Sequence, residues 1–543
     1  MTSERITEWL PTWPNGTLTA APTSASQGQR TIVEATVLDT FDRRLFRRGQ
    51  VCVLQWTGEG RGELQLWAAG ASRARRSAIW ASTAMPRFAW DLDDTDLRSE
   101  LTAVIDVRAL LPQCRLQRAF LTVPDFPEAV PDAVRLFRVR STWIPEAGRP
   151  HLLAERLAVC WDASDDKLGR HFVNELLERG LIAPTTEDIW HAALAAAGRL
   201  PPAEASGSFP GLAPELRTDV AARRVLAGLF DILSTNESGI IGAVDSEFLH
   251  DFRVAVRRSR VVLGQLRGVF PERSVARHVR DLAWLGEITG PARDLDVYLL
   301  HFEDLQQQLP TELREDLVPL RTLLAHEAAA AQAALVRSLG SARYRRFKAE
   351  WPQWLARSAP RRPTAPNALA PIASVAGRRI WTLYRRVAKA AGTVNETTPS
   401  ERIHELRKSC KKLRYLLEVV QPFHAKDRMR RPIKALKLLQ DRLGAFQDAE
   451  VQREYLRGWF AQLRQDGEIS SPTLLAVGML FGYFEQLQAA RRAEIPEALR
   501  HFARKEERAR FKTLFKEQPT AAVGTTGRTH RAPARTEKEG ETE

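Results

Sequence analysis

The sequence predicts a chain of two unlike halves: an N-terminal α+β domain built on an antiparallel sheet, and a C-terminal all-α domain made of a duplicated helical bundle. Three observations predict it. Up to about residue 197 the apolar residues come in short, alternating runs separated by turns, the period of half-buried strands. Beyond residue 215 they recur at helical spacing over long segments with few tight turns. Within that second half a set of residues repeats at one constant offset, the mark of an internal duplication. A chain of 543 residues, set against domains of about 100 to 200, has room for two or three folded units.

In chain order, residues 1–29 read as a flexible extension. Strand-like runs follow at 31–38, 50–56, 63–68, 115–123, 134–143 and 151–161, with helical patterns at 165–179 and 186–197, so that 30–197 form the sheet domain. Residues 198–214, rich in Pro, Gly and Ala, read as an interdomain linker. The helical domain covers 215–516. Its first repeat, 217–356, is expected to hold helices at 217–240, 246–270, 274–289, 293–309 and 312–356. Residues 357–371, with four prolines, read as a second linker. The second repeat, 372–516, is expected to hold helices at 372–391, 400–421, 428–445, 447–466, 472–493 and 496–516. The tail 517–543 lacks aromatics and is polar, so it is expected to be disordered.

The excess charge belongs to one segment. Residues 1–212 carry 24 Lys and Arg against 26 Asp and Glu, whereas 213–516 carry 52 against 35; the tail carries 4 against 5. A net +17 confined to the helical half points to a polyanionic partner for that half. Other classes are disfavoured. Cys52, Cys114, Cys160 and Cys410 form no CxxC pair, which argues for buried thiols over a zinc site or a disulfide framework. The N-terminus has no basic stretch leading into an apolar one, and the longest apolar run, 473–484, is short of the roughly 20 residues a membrane span needs. A cytoplasmic protein with no membrane partner is therefore expected.

The repeat carries the functional argument. His250, Arg253, Arg257, Arg258 and Arg260 recur as His404, Arg407, Lys411, Lys412 and Arg414, each pair 154 residues apart. The same offset relates Leu263 to Leu417, Arg277 to Arg431, Arg280 to Lys434, Gly290 to Gly444 and Asp294 to Asp448. At about 100° per residue, His250, Arg253, Arg257 and Arg260 fall within about 80° on one helix face, and so do their counterparts. Apolar residues such as Phe252, Val256, Leu406, Cys410 and Leu413 occupy the other side. Ordinary surface helices mix signs to gain i,i+4 pairs, whereas these stripes are nearly unmixed and occur twice in register. Each helix can bury one face and offer a cationic one.

On these residues, and on the stretches from Leu285 to Asp296 and from Leu439 to Asp448, the segment 212–516 resembles the CHAD domain family. The resemblance implies two related helical bundles around a basic groove that binds inorganic polyphosphate, and with it an association with polyphosphate granules. Carried over position by position, it implies anion contacts at His250, Arg253, Arg257, Arg258, Arg260, Arg277 and Arg280 in the first repeat. In the second it implies His404, Arg407, Lys408, Lys411, Lys412, Arg414, Arg431, Lys434 and Lys437. His250 and His404 are read either as plain helix-start or core histidines or as donors to phosphate. No second ligand recurs at metal spacing around them, so no metal or other cofactor is expected. Asp294 and Asp448 are read as helix caps or as partners that orient an arginine, with no catalytic role.

The segment from Leu38 to Gly49 resembles the strand-turn of the CYTH family, whose active members hold triphosphate in a β-tunnel with an E-x-E-x-K motif. Here the expected first strand has Glu34 but no Lys in that spacing, and Val53, Leu54 and Gln55 occupy the positions of the following arginines. Phosphoryl chemistry needs clustered carboxylates for metal, which this stretch does not offer. The expectation is a CYTH-like fold without catalysis, joined to a non-enzymatic polyanion binder. Two other readings remain open: a nucleic-acid binder, since Lys/Arg stripes also fit phosphodiester backbones, and a triphosphate-processing enzyme.

Overall fold

The computed structural model of the chain describes residues 4–11, 30–58, 61–69, 74–123, 129–162, 165–183, 188–200, 209, 211–466 and 470–516. In the N-terminal half nine strands, β1 (Glu4–Pro11), β2 (Arg30–Asp39), β3 (Gln50–Gly58), β4 (Arg61–Ala68), β5 (Ala74–Trp80), β6 (Leu111–Thr122), β7 (Val134–Ile144), β8 (His151–Asp162) and β9 (Ile182–Ala183), make one sheet in the order β5-β4-β3-β2-β6-β7-β8-β1-β9. Its pairings are antiparallel. Four helices accompany it: α1 (Arg44–Arg47), α2 (Thr95–Ile105), α3 (Asp166–Glu178) and α4 (Ile189–Ala196).

Period-two alternation explains how the sheet is covered on both faces. In β3, Cys52 and Leu54 face α2 with Leu97, Leu101 and Ile105, while Val51 and Val53 face α4 with Ile189, Trp190 and Leu194. Three strands differ from the sequence reading, the two-residue β9 among them. Residues 4–11, expected to be part of a flexible extension, are β1, paired with β8 from Glu4↔Asp162 to Trp9↔Leu157. The unexpected β5 is a mostly exposed edge strand whose arginines hide the alternation. The remainder of the expected extension, most of the first linker and the tail lie outside the described residues.

The helical half opens with α5 (Thr218–Ile241), α6 (Ser246–Gln265), α7 (Glu272–Ile288), α8 (Gly290–Leu300), α9 (Phe302–Gln307), α10 (Val318–Leu339) and α11 (Ala342–Ala356). The second repeat holds α12 (Ile372–Ala390), α13 (Ser400–Val420), α14 (Lys426–Asp466), α15 (Ser471–Phe502) and α16 (Lys505–Phe515). Helices α5, α6 and α7 begin 154 residues before α12, α13 and α14. The repeats meet through reciprocal bonds. The Thr218 amide donates to Ala370 O and the Ile372 amide to Leu216 O, both at 2.9 Å; Asp219 donates to Ala368 O and Ala373 to Pro214 O, at 3.2 and 3.1 Å. Each bond is the image of its partner under the 154-residue offset, and Arg217 bridges its own counterpart, Pro371. A pseudo-two-fold axis therefore passes through this bridge, and one apolar core spans both repeats.

Helix boundaries depart from the sequence reading where one residue decides. Gly290 is followed by Pro291, which has no amide hydrogen, so α7 ends and α8 begins there; Gly444 is followed by Ala445, and α14 runs through unbroken. Likewise α15 continues past Pro496 to Phe502, where a break was expected. Residues 357–371 are a packed connection: the Asn367 amide donates to Gly268 O at 2.7 Å, and Ala368 is fully buried.

Candidate anion-binding site

Helices α6 and α13 carry the site. Asp245 caps α6 by accepting from the Glu247 and Phe248 amides at 2.9 and 3.2 Å, which fixes where the helix starts and so which face turns inward. Phe248, Phe252, Ala255 and Val256 go into the core from α6; Ile403, Leu406, Cys410, Leu413 and Leu417 do so from α13. Burying those faces leaves the half-buried Arg253, Arg257, Arg407 and Lys411 to share one region. Lys411 lies in the field of Arg253, Arg257 and Arg407, and Arg407 in that of Arg257. Arg253 and Arg407 are repeat counterparts, as are Arg257 and Lys411, so the cluster is two equivalent cation pairs drawn from the two repeats.

The surroundings explain how four cations are held. Arg253 Nη1 donates to Thr289 Oγ1 at 3.0 Å and to Gly286 O at 3.3 Å, and Thr289, itself fully buried, donates to Leu285 O. Asp448 is 3.8 Å from Arg407, and Asp294 opposes Arg253 while accepting from Tyr455 Oη at 3.4 Å. Both carboxylates lie inside helices rather than at caps, so the arginine-orienting reading is the one the geometry fits. Burial and the neighbouring guanidinium groups bring the Lys411 ammonium down to about 8.

His250 is half-buried among Glu247, Asp251, Arg293 and Arg257, and burial lowers its pKa. His404 Nδ1 is 2.6 Å from Gln447 Oε1, an amide oxygen that only accepts, so Nδ1 is the donor. The counterpart of Gln447 in the first repeat is Arg293, which donates to Ser246 O at 3.0 Å and pairs with Glu247 at 3.4 Å. The sequence reading missed Arg293. Its place between the paired Gly290 and Asp294 was visible, but Gln447 broke the repeat at that position.

Several other expected contacts are already held in ion pairs. Arg258 pairs with Glu418 at 2.8 Å and overlies the Tyr415 ring, and Arg414 pairs with the same carboxylate at 3.0 Å. Arg277 pairs with Glu350 at 2.7 Å and Lys408 with Glu405 at 2.9 Å. Arg260 and Arg280 are exposed and Lys412 half-buried. Arg431, Lys434 and Lys437 are exposed on α14; Arg431 precedes Asp448 by 17 residues, about 26 Å along the helix. Among the described residues no group of three or more His, Cys, Asp or Glu could hold a metal ion.

In the sheet domain the positions singled out for triphosphate hold no cation. Val53 and Leu54 are fully buried in the two core layers, and Gln55 donates to Gln65 Oε1 at 3.1 Å. The Asp39 to Gly49 turn is built by Asp39, whose buried carboxylate accepts from the Thr40, Leu45 and Phe46 amides at 2.7 to 3.1 Å. No described helix is long and apolar enough to cross a membrane.

The helical half is similar to known proteins. The model of the CHAD domain matches residues 224–457. Among solved structures, the CHAD domain from the plant Ricinus communis is 26% identical, with a TM-score of 0.45, covering 54% of this chain and 95% of that one. PptA from Streptomyces chartreusis is 17% identical, with a TM-score of 0.38, covering 52% and 98%. No curated protein matches. With its duplicated helices and paired cationic faces, the segment 224–457 belongs to the CHAD domain family.

Proposed function

We propose that the helical half binds inorganic polyphosphate without catalysis, and that this binding places the protein in the cytoplasm at polyphosphate granules. The observation that carries the reading is the convergence of Arg253, Arg257, Arg407 and Lys411, two cations from each repeat, in one region. A flexible anion with a charge on every unit can follow such a cluster and engage both repeats at once, making the second contact intramolecular. Guanidinium groups suit this ligand because their planar forks match phosphate oxygens bidentately. The sheet domain is read as CYTH-like and inactive on triphosphate, since Val53, Leu54 and Gln55 offer no cation there.

A competition experiment separates this from nucleic-acid binding. Polyphosphate is expected to displace labelled DNA from the full-length protein at equal phosphate concentration and moderate salt. Retention of DNA under those conditions would favour a phosphodiester backbone as the ligand and defeat the proposal.

A further inference from the structure

A second cationic pocket lies between the start of α14 and α16, in a part of the second repeat distant from the central cluster. Arg428, Arg430, Arg431 and Lys434 line it from α14 and Arg510 from α16, around a cavity of about 830 Å³. Arg510 is held by Glu507. The four α14 cations are exposed and, among the described residues, take part in no ion pair; Asp427 is the one carboxylate in the lining. Their spacing places like charges three and four residues apart, which costs helix stability, and cations in the first turns of a helix also oppose its dipole. A bound anion relieves both.

The duplication does not account for this pocket. The first-repeat counterparts of Arg428 and Arg430 are Ser274 and Ala276, and the counterpart of Arg431 is Arg277, already paired with Glu350 at 2.7 Å. The central cluster is two-fold related; the pocket exists once. No aromatic side chain lines it, so it offers nothing for a nucleobase to stack upon. Three guanidinium groups and an ammonium opposed by one carboxylate leave a net +3, more than one phosphate neutralises, in a space of ligand-pocket size.

We infer that this pocket is a second anion site, taking a short run of linked phosphate groups, either a free oligophosphate or the end of a longer chain. It rests on residues other than those of the central cluster, so the two readings stand or fall separately. The test is calorimetric titration of the full-length protein with tripolyphosphate. Arg428→Ala with Arg430→Ala is expected to weaken one binding event at least tenfold, while Arg257→Ala with Lys411→Ala leaves that event intact. A second pair, Arg431→Gln with Lys434→Gln, should reproduce the loss, and an unchanged melting temperature shows that the exposed substitutions leave the fold alone. A pocket variant that titrates like the unmodified protein overturns the inference, as does loss of all tripolyphosphate binding in the central variant. Loss in the pocket variants with none in the central one upholds the pocket, while the central reading is judged by that variant's affinity for long polyphosphate. Titration with long polyphosphate then identifies the source: pocket variants weakened toward both ligands indicate capture of chain ends, and toward tripolyphosphate alone a free oligophosphate.

Discussion

Lys411 faces Arg253 and Arg257 of α6, Arg407 of its own helix and, as the opposing charge, Asp448 of α14. With its pKa near 8 in the fold against about 10.4 in an open chain, it loses its charge as pH rises through about 8. A polyanion favours the charged form, so binding is expected to draw in a proton near and above that pH, and affinity to fall as pH rises from 7 to 9. Lys411→Arg keeps its charge throughout and should flatten the step. A profile that Lys411→Arg leaves unaltered would remove Lys411 from the site. Ligand-free stability runs the other way: the unfolded chain binds more protons between about 8 and 10.4, so this residue's contribution to stability rises with pH across that window. At this scale the sequence was half legible. Helical spacing placed Arg253, Arg257, Arg407 and Lys411 on stripes, but the 2.8 Å pair from Arg258 to Glu418 joins two helices and left no local trace.

At the scale of elements the duplication was the strongest signal, because paired helices that begin 154 residues apart keep core residues such as Leu282 and Leu436, or Leu285 and Leu439, in one register. What it could not show was which faces of α6 and α13 would meet, since that depends on the axis set by the bonds between 214–219 and 368–373. The helix ends were misread where the repeats diverge: a break was expected near 446 as near 291, but Ala445 stands where Pro291 interrupts the first repeat, and α14 runs through. If both stripes form one site, replacing Arg253, Arg257 and Arg260 by Ala, or Arg407, Lys411 and Arg414 by Ala, should each cost much of the affinity for a long polyphosphate and less for a chain too short to bridge them. The slope of log affinity against log salt should flatten by roughly 2 to 3 in the first set, on the single-strand coefficient. Since Arg414 is already held by Glu418, the second set should lose less. Unchanged affinity and slope in both sets would make the stripes ordinary solvated surface.

In the whole molecule the two halves, legible in the sequence only as separate domains, are latched together at the N-terminal end of the first stripe helix. Arg108 of the sheet domain is 1% exposed and pairs with Asp245 at 3.3 Å, an equally buried carboxylate, as well as with Asp251 and, at 3.7 Å, with Asp42. Its guanidinium overlies Phe248, against which Phe41 also packs, ring centres 4.7 Å apart. Arg87 donates to Val244 O at 2.8 Å, and Arg44 approaches Glu247 at 3.8 Å. The partners that join the two halves lie more than a hundred residues apart in the chain, with no distinguishing local pattern, so no sequence periodicity could join them. The arrangement is one-sided, because Pro399 stands where the second repeat would need the counterpart of Asp245. Asp245 serves two tasks at once: it caps α6 and accepts from both Arg108 and the Ala109 amide. Arg108→Ala leaves that carboxylate buried without its cation, a change that costs about 3 to 5 kcal/mol where a buried pair is broken. Denaturant unfolding should register a loss of that order, and amide exchange at 246–252 should quicken as the start of α6 loosens. His250 lies one position before Asp251, so the same variant should weaken polyphosphate binding at the first stripe more than at the second. Unchanged stability together with unchanged exchange across 246–252 would mean that the sheet domain does not hold the stripe helix in place.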